Sequence, residues 1–286
     1  MIDKKPFLTI GMATYDDFHG VYFTIQALRM YHKEVMGEVE FLVIDNNPKG
    51  THGSELRNFV NWGDNIKYVP EEKWVSTAVR NRIFEEANGD FVMSTDCHVL
   101  FEEGSIKKLI DYYKNNFNTN NLHQGPMVYD DFRNYSTHFD PEWRSHMYGT
   151  WGTDERASSP DAEPFEIPMQ GLGVFSCRKD AWLGFNPLFR GFGGEEGYIH
   201  EKFRQNGNKT LCLPFLRWMH RFGRPDGPNY PLTLENKVRN YILGHLELGL
   251  DVKPIFEHFS GDMQQQQLDR LFDACNLEIE KQRTEQ

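Results

Sequence analysis

Short apolar runs alternate with helix-period segments through the first hundred residues, and this constrains the fold more than any other feature of the chain. Phe7 to Ala13 (FLTIGMA) is an apolar run closed by turn residues, the pattern of a buried strand. Residues 20–32 then space Val21, Ile25 and Leu28 at helical intervals. Phe41 to Ile44 (FLVI) reads as a second buried strand and ends in the turn Asp45-Asn46-Asn47-Pro48. Residues 65–69 predict a third strand. Residues 76–88 predict a helix with Ser76 as N-cap and Val79, Ile83 and Ala87 on one face. Phe91 to Met93 is a fourth strand. Glu102 to Asn115 is a helix with acids first and lysines later, as the helix dipole favours. Strand and helix at this spacing predict an α/β fold: a mostly parallel central sheet flanked by helices. Ligands of such sheets bind beyond the carboxyl ends of the strands. Three polar clusters fall there: Thr14-Tyr15-Asp16, Asp45-Asn46-Asn47 and Asp96-Cys97-His98.

Beyond this half the pattern changes. From about 117 to 167 the periodicity fades, which predicts a long loop region given some order by Trp143, Tyr148 and Trp151. Residues 171–178 resume strand character. Phe189 to Gly194 predicts a flexible turn, and 195–206 a helix ended by Asn206-Gly207. Leu211 to Met219 reads as a strand leading to His220, and 233–249 as a helix. The polar tail from Gly261 is expected to be a peripheral helix or partly frayed.

Composition excludes several classes. A chain of 286 residues can bury a core without disulfides. With 39% hydrophobic and 26% charged residues it reads as a soluble globular protein. No apolar run approaches the roughly 18 residues of a membrane span, and the start lacks a signal-peptide core. The net charge of −11 disfavours nucleic acid as a partner held through its phosphates. Cys97, Cys177, Cys212 and Cys275 form no C-x-x-C pair, so reduced thiols and a cytoplasmic location are expected.

Several residue groups carry chemistry. The carboxylate and imidazole of Asp96-Cys97-His98 can reach one metal if the chain bends there. Oxygen plus imidazole suits Mn²⁺, and Mg²⁺ less well. An Asp turn with a solvent-facing His is the plainer reading of the triplet alone. His220, in FLRWMHRFGRP, is flanked by Arg221 and Arg224. These form either an anion-binding patch or a solvated basic turn. Glu195 and Glu196 follow Gly193-Gly194 and open a helix. They are either dipole-compensating acids or a catalytic base and acceptor ligand. Asp45 caps a turn or accepts hydrogen bonds from a base or ribose. Arg80 and Asn81 face a diphosphate or sugar, or solvent.

Taken together, these segments resemble a GT-A nucleotide-sugar glycosyltransferase of the family 2 type over roughly residues 6–225. FLTIGMATYDD resembles that family's first strand and turn, with Ala13 in place of its proline. FLVIDNNPKG resembles the strand whose terminal Asp reads the base, here Asp45. STAVRNRIFEEANGDFVMSTDCHV resembles the helix and metal-motif segment, with His98 where family 2 has Asp. The Asp-x-His form is that of polypeptide N-acetylgalactosaminyltransferases, and WMHRFGR and FGGEE are similar to those enzymes' later His segment and helix start. The resemblance implies a metal-dependent hexosyl- or N-acetylhexosaminyltransferase that moves sugar from a nucleotide-sugar, UDP-sugar first, to an unidentified hydroxyl acceptor. It implies metal ligation by Asp96, His98 and His220. Donor contacts would come from Thr14, Tyr15, Asp16, Asp45, Arg80, Asn81, Asp96 and Arg224, and the catalytic carboxylate, a base or an orienter of donor or acceptor, from Glu195 or Glu196.

The same resemblance implies a GT-A domain over 1–230. Its nucleotide-binding half would be 1–116, its acceptor-side loop region 117–167, and its acceptor and catalytic half 168–230. A helical C-terminal extension would span 231–286 and could mediate oligomerisation. Family 2 enzymes invert the anomeric centre, whereas the Asp-x-His relatives retain it. Two rivals stand beside this reading: a nucleotidyltransferase of similar fold, which the acidic Thr14-Tyr15-Asp16-Asp17 turn disfavours, and a non-catalytic nucleotide- or sugar-binding module.

Overall fold

The computed structural model describes residues 5–73, 76–223, 227–228 and 230–285. The parallel half of the sheet forms from the four apolar runs: β1 (Leu8–Thr14), β2 (Val39–Asp45), β3 (Ile66–Pro70) and β4 (Phe91–Thr95). β1 pairs in parallel with β2 and β4, and β2 with β3. Every residue of β2 and β4 is buried, because helices cover both sheet faces. The crossovers are α1 (Phe18–Tyr31), α2 (Gly53–Trp62) and a 3-10 turn, Thr77–Arg80, that runs into α3 (Asn81–Glu86). Ser76 caps that turn by accepting from the Ala78 N–H, so the single helix expected over 76–88 is two shorter pieces.

β5 (Val99–Phe101) and α4 (Ser105–Asn115) follow. The stretch read as a long loop is in fact built from short strands. These are β6 (Leu122–Gln124), β7 (Met127–Val128), β8 (Tyr135–Ser136), β9 (His138–Arg144), β10 (Met147–Gly152) and β11 (Phe165–Glu166). β6, β7, β8 and β11 have only two or three residues each and leave no periodicity to read. After β12 (Val174–Arg178) come α5 (Glu195–Gln205), β13 (Thr210–Cys212) and β14 (Trp218–His220). The strand expected over 211–219 is broken around Pro214, which has no N–H to donate. The helices α6 (Leu234–Leu248), α7 (Lys253–Phe259) and α8 (Gln265–Thr284) complete the fold.

Among the described residues the main sheet has the order β11-β13-β6-β12-β4-β1-β2-β3, with β12 antiparallel to β4 and β6. A second sheet runs β5-β14-β7-β8, and β9 and β10 form a separate hairpin. Alternation along β2 feeds two core layers. Phe41 and Val43 join Ile25, Leu28, Leu109 and Tyr113 on one side. Leu42 and Ile44 join Ile83, Tyr198, Ile242 and Phe259 on the other. α8 also enters this second layer. It buries Leu268, Cys275 and Ile279, and its start is closed by a reciprocal capping box between Gln264 and Gln267.

Candidate active site

β4 ends at Thr95, and the chain turns through Asp96-Cys97-His98 before β5 leaves in the second sheet. The Asp96 N–H donates to the Gly173 carbonyl at 2.8 Å, which fixes the bend. Only glycine fits at 173, since a Cβ there would lie 2.7 Å from the Trp218 ring. β5 and β14 are antiparallel, with Val99 opposite His220. That register brings together two histidines more than a hundred positions apart, with ring centroids 4.8 Å from each other in an edge-on arrangement. His220 Nε2 lies 3.3 Å from Asp96 Oδ2. One ligand atom from each of Asp96, His98 and His220 lies within 4.8 Å of the others.

These three side chains fit a divalent cation. A hard carboxylate and two imidazoles converge, and His220 Nδ1 is buried with no partner among the described residues. Burial alone would raise the Asp96 carboxyl. The His220 hydrogen bond and the Arg80 charge outweigh it and hold the group well below the usual carboxylate range, so Asp96 is an anion.

Asp17 was not recognised as a site residue from the sequence, and it supports this cluster. It caps α1 by accepting from the Gly20 N–H at 2.9 Å, and its other oxygen lies 2.9 Å from His98 Nδ1. Burial works to raise its carboxyl, but the hydrogen bonds from His98 and Gly20 prevail and lower it to about 2. An ionised Asp17 takes the proton on Nδ1 and leaves Nε2 of His98 as the lone-pair nitrogen, the usual carboxylate support of a metal-binding imidazole. Asp17→Asn is therefore expected to weaken Mn²⁺ affinity about 10–100-fold by calorimetry. Unchanged affinity would remove Asp17 from the site.

Arg80 links the cation cluster to the acids of α5. It is buried, with Nη2 3.1 Å from Asp96 Oδ1 and Nη1 2.9 Å from Thr77 Oγ1 and 3.5 Å from Glu195 Oε1. Gly193 and Gly194 have φ of 102° and 90°, a left-handed turn that other residues resist. This turn starts α5 with Glu195 and Glu196 at the cavity wall. Glu195 is 1% exposed, and its Oε2 has no partner among the described residues. Glu196 is half-buried. Burial, then the charge of Glu195, pushes its carboxyl up to about 8.

Because Glu196 keeps a proton that the unfolded chain releases near pH 4.5, the apoprotein should lose stability as pH rises from there towards about 8. Glu196→Gln should flatten that decline. Melting temperatures of both proteins measured from pH 5 to pH 8 check this, and parallel curves would contradict it.

The cavity these groups line has a volume of about 370 Å³. Thr14, Tyr15, Arg80, Asp96, His98, Glu195, Glu196 and His220 all face it. Three of the sequence-derived donor contacts do not. Asp16, at φ 56°, accepts from the Thr51 and His52 N–H groups and clamps the turn after β2. Asp45 is buried beneath that turn and accepts from Tyr68 Oη at 2.7 Å and the Asn47 N–H at 3.1 Å. Burial raises its carboxyl. Its neighbour Asn46 lines the cavity instead, with both amide atoms buried and unpartnered among the described residues. Asn81 accepts from Trp182 Nε1 and the Phe185 N–H and donates to the Phe185 carbonyl, so its amide is spent on local structure. Arg224 lies outside the described residues.

Candidate metal ligands and paired acids thus gather at the carboxyl ends of a mixed sheet whose fold is of the GT-A class. The chain belongs to glycosyl transferase family 2, whose pattern matches residues 9–179. Among solved structures it is similar to GalNAc-T7 with UDP, GalNAc and Mn²⁺, at 14% identity and a TM-score of 0.67, covering 90% of this chain and 55% of that one. The chain thus spans little more than half of that relative. It is also similar to the mannosyltransferase PcManGT from Pyrobaculum calidifontis in complex with GDP-Man and Mn²⁺, at 12% identity, TM-score 0.56 and coverage of 96% and 70%. S. aureus TarS residues 1–349 with UDP-GlcNAc gives 13% identity, TM-score 0.55 and coverage of 94% and 80%. No curated protein matches the chain. Among the described residues no helix is long and apolar enough to cross a membrane.

Proposed function

We propose that this protein transfers a hexosyl or N-acetylhexosaminyl group from a UDP-sugar to a hydroxyl acceptor with the help of Mn²⁺ or Mg²⁺. The observation that carries the reading is the convergence of Asp96, His98 and His220 in the same cavity as Glu195 and Glu196. GalNAc-T7 with UDP and TarS with UDP-GlcNAc support UDP as the nucleotide. Asp96, His98 and His220 would hold the divalent cation, which when bound would supply positive charge where the diphosphate departs. Thr14, Tyr15 and the free amide of Asn46 receive the nucleoside. Asp45 and Asp16 act from behind by holding the turn that carries Asn46.

Arg80 keeps Asp96 and Glu195 in place, and Glu195 is read as a positioning residue because it is buried and ion-paired. Glu196 is less buried, and with its carboxyl pushed up to about 8 its ionised form is a stronger base than an ordinary carboxylate. It accepts the proton of the attacking acceptor hydroxyl as the sugar–phosphate bond breaks, the acceptor–sugar bond forms and UDP leaves. Residues 1–116 serve the donor, 117–167 and 168–230 the acceptor and the chemistry, and 231–286 brace α5. Four free, buried cysteines suit a reducing compartment. The test is release of UDP from UDP-glucose, UDP-galactose and their N-acetylamino counterparts. Release from at least one, abolished by a chelator, is expected. No release from any donor with Mn²⁺ present would contradict the proposal.

A further inference from the structure

The β9–β10 hairpin has two unlike faces. Trp143 and Tyr148 stand opposite each other in its register and turn away from the donor cavity. Trp143 stacks on His258 at 4.5 Å and packs edge-on against Tyr241 and Phe259, while the Tyr148 N–H donates to Tyr241 Oη at 2.9 Å. His258 also binds the Ser145 carbonyl, and His146 lies 3.4 Å from Asp262, so the tip is pinned to the C-terminal helices. Strand alternation sends the adjacent pair, Arg144 and Met147, to the opposite face. There both line the cavity, together with the pair Phe139 and Trp151.

Arg144 is exposed and has no hydrogen bond or ion pair among the described residues. The cavity's other described arginine, Arg80, is taken by Asp96 and Glu195. In a chain of net charge −11, this uncommitted guanidinium on a braced hairpin stands in a cavity also lined by Asp17, Asp96, Glu195 and Glu196, and is open to an outside anion. Its planar fork matches a carboxylate or a phosphate in bidentate fashion. Beside it, Met147 and Trp151 offer an apolar platform for the body of a sugar or polyol.

We infer that Arg144 binds an acidic group of the acceptor, so that the acceptor is an anionic sugar or polyol bearing a carboxylate or phosphate near the attacked hydroxyl. The inference rests on the proposed transferase reading, which assigns the other end of the cavity to the donor. The test loads the protein with UDP and Mn²⁺, which fills the diphosphate position, and titrates it with glucose, glucuronate and glucose 6-phosphate by NMR. One or both anions should bind about ten-fold or more tightly than glucose, and the tighter of the two names the acidic group. Arg144→Ala should reduce the anions to the level of glucose while UDP affinity and the melting temperature stay as in the parent. Equal binding of the three probes, no binding of any, or an anion preference that survives Arg144→Ala would overturn the inference and leave the donor reading standing. Failure of the parent protein to bind UDP would remove the donor reading and this inference together.

Discussion

Asp96→Ala and His220→Ala should each abolish metal-stimulated transfer, with an expected loss of at least about 10²–10³-fold in turnover. Asp96 links His220 to Arg80. It meets His220 through one oxygen and Arg80 through the other, and it is held in its anionic form by both. Its removal takes a hard oxygen ligand from the cation and leaves the buried Arg80 facing Glu195 alone. Asp96→Asn separates these effects, because the amide still accepts from Arg80 but carries no charge. It should lose Mn²⁺ dependence with a smaller change in melting temperature than the alanine variant. His220 has no hydrogen bond with Arg80 among the described residues, so His220→Ala leaves the pairing of Arg80 in place and reads out ligation more directly. Normal activity in either alanine variant would sink the metal assignment.

Glu196→Gln should lower kcat about 10²–10⁴-fold while UDP affinity changes little, because a glutamine cannot take the proton of the acceptor hydroxyl. Steady-state kinetics and UDP calorimetry on the same preparation measure the two quantities. Glu195→Gln also slows turnover, acting through Arg80, which loses a charged partner 3.5 Å away. Equal losses of turnover and nucleotide binding in Glu196→Gln would make Glu196 a structural acid at a helix start and nothing more.

β1, β2 and β4 were legible because burial on both faces makes each a largely apolar run, while the partly exposed edge strand β3 gave a shorter signal. α2 was not, since its contact with the sheet is confined to residues such as Leu56 and Val60. The hairpin of residues 138–152 was hidden because its inward and outward residues are both aromatic or polar. Phe139 and Trp151 point to the cavity, and Trp143 and Tyr148 to the helices. In the site, the residue types of Asp96, His98 and His220 were readable. Their meeting depends on the β5–β14 register, which no local spacing encodes. Side-chain direction was the other gap. Asp16 and Asn81 sit next to cavity residues yet spend their polar atoms on backbone groups and, for Asn81, the Trp182 ring N–H. Asp17 sits in a helix cap, where an aspartate has an ordinary reason to be.

The central claim is that Asp96, His98 and His220 hold a cation beside a uridine diphosphate. Calorimetric titration with UDP, in the presence and absence of Mn²⁺ and with GDP and CDP as controls, tests it most directly. Tight binding of UDP that requires Mn²⁺ and is lost in His220→Ala is the expected result. Binding of UDP that is indifferent to Mn²⁺, or no binding of any of the three nucleotides, would contradict it.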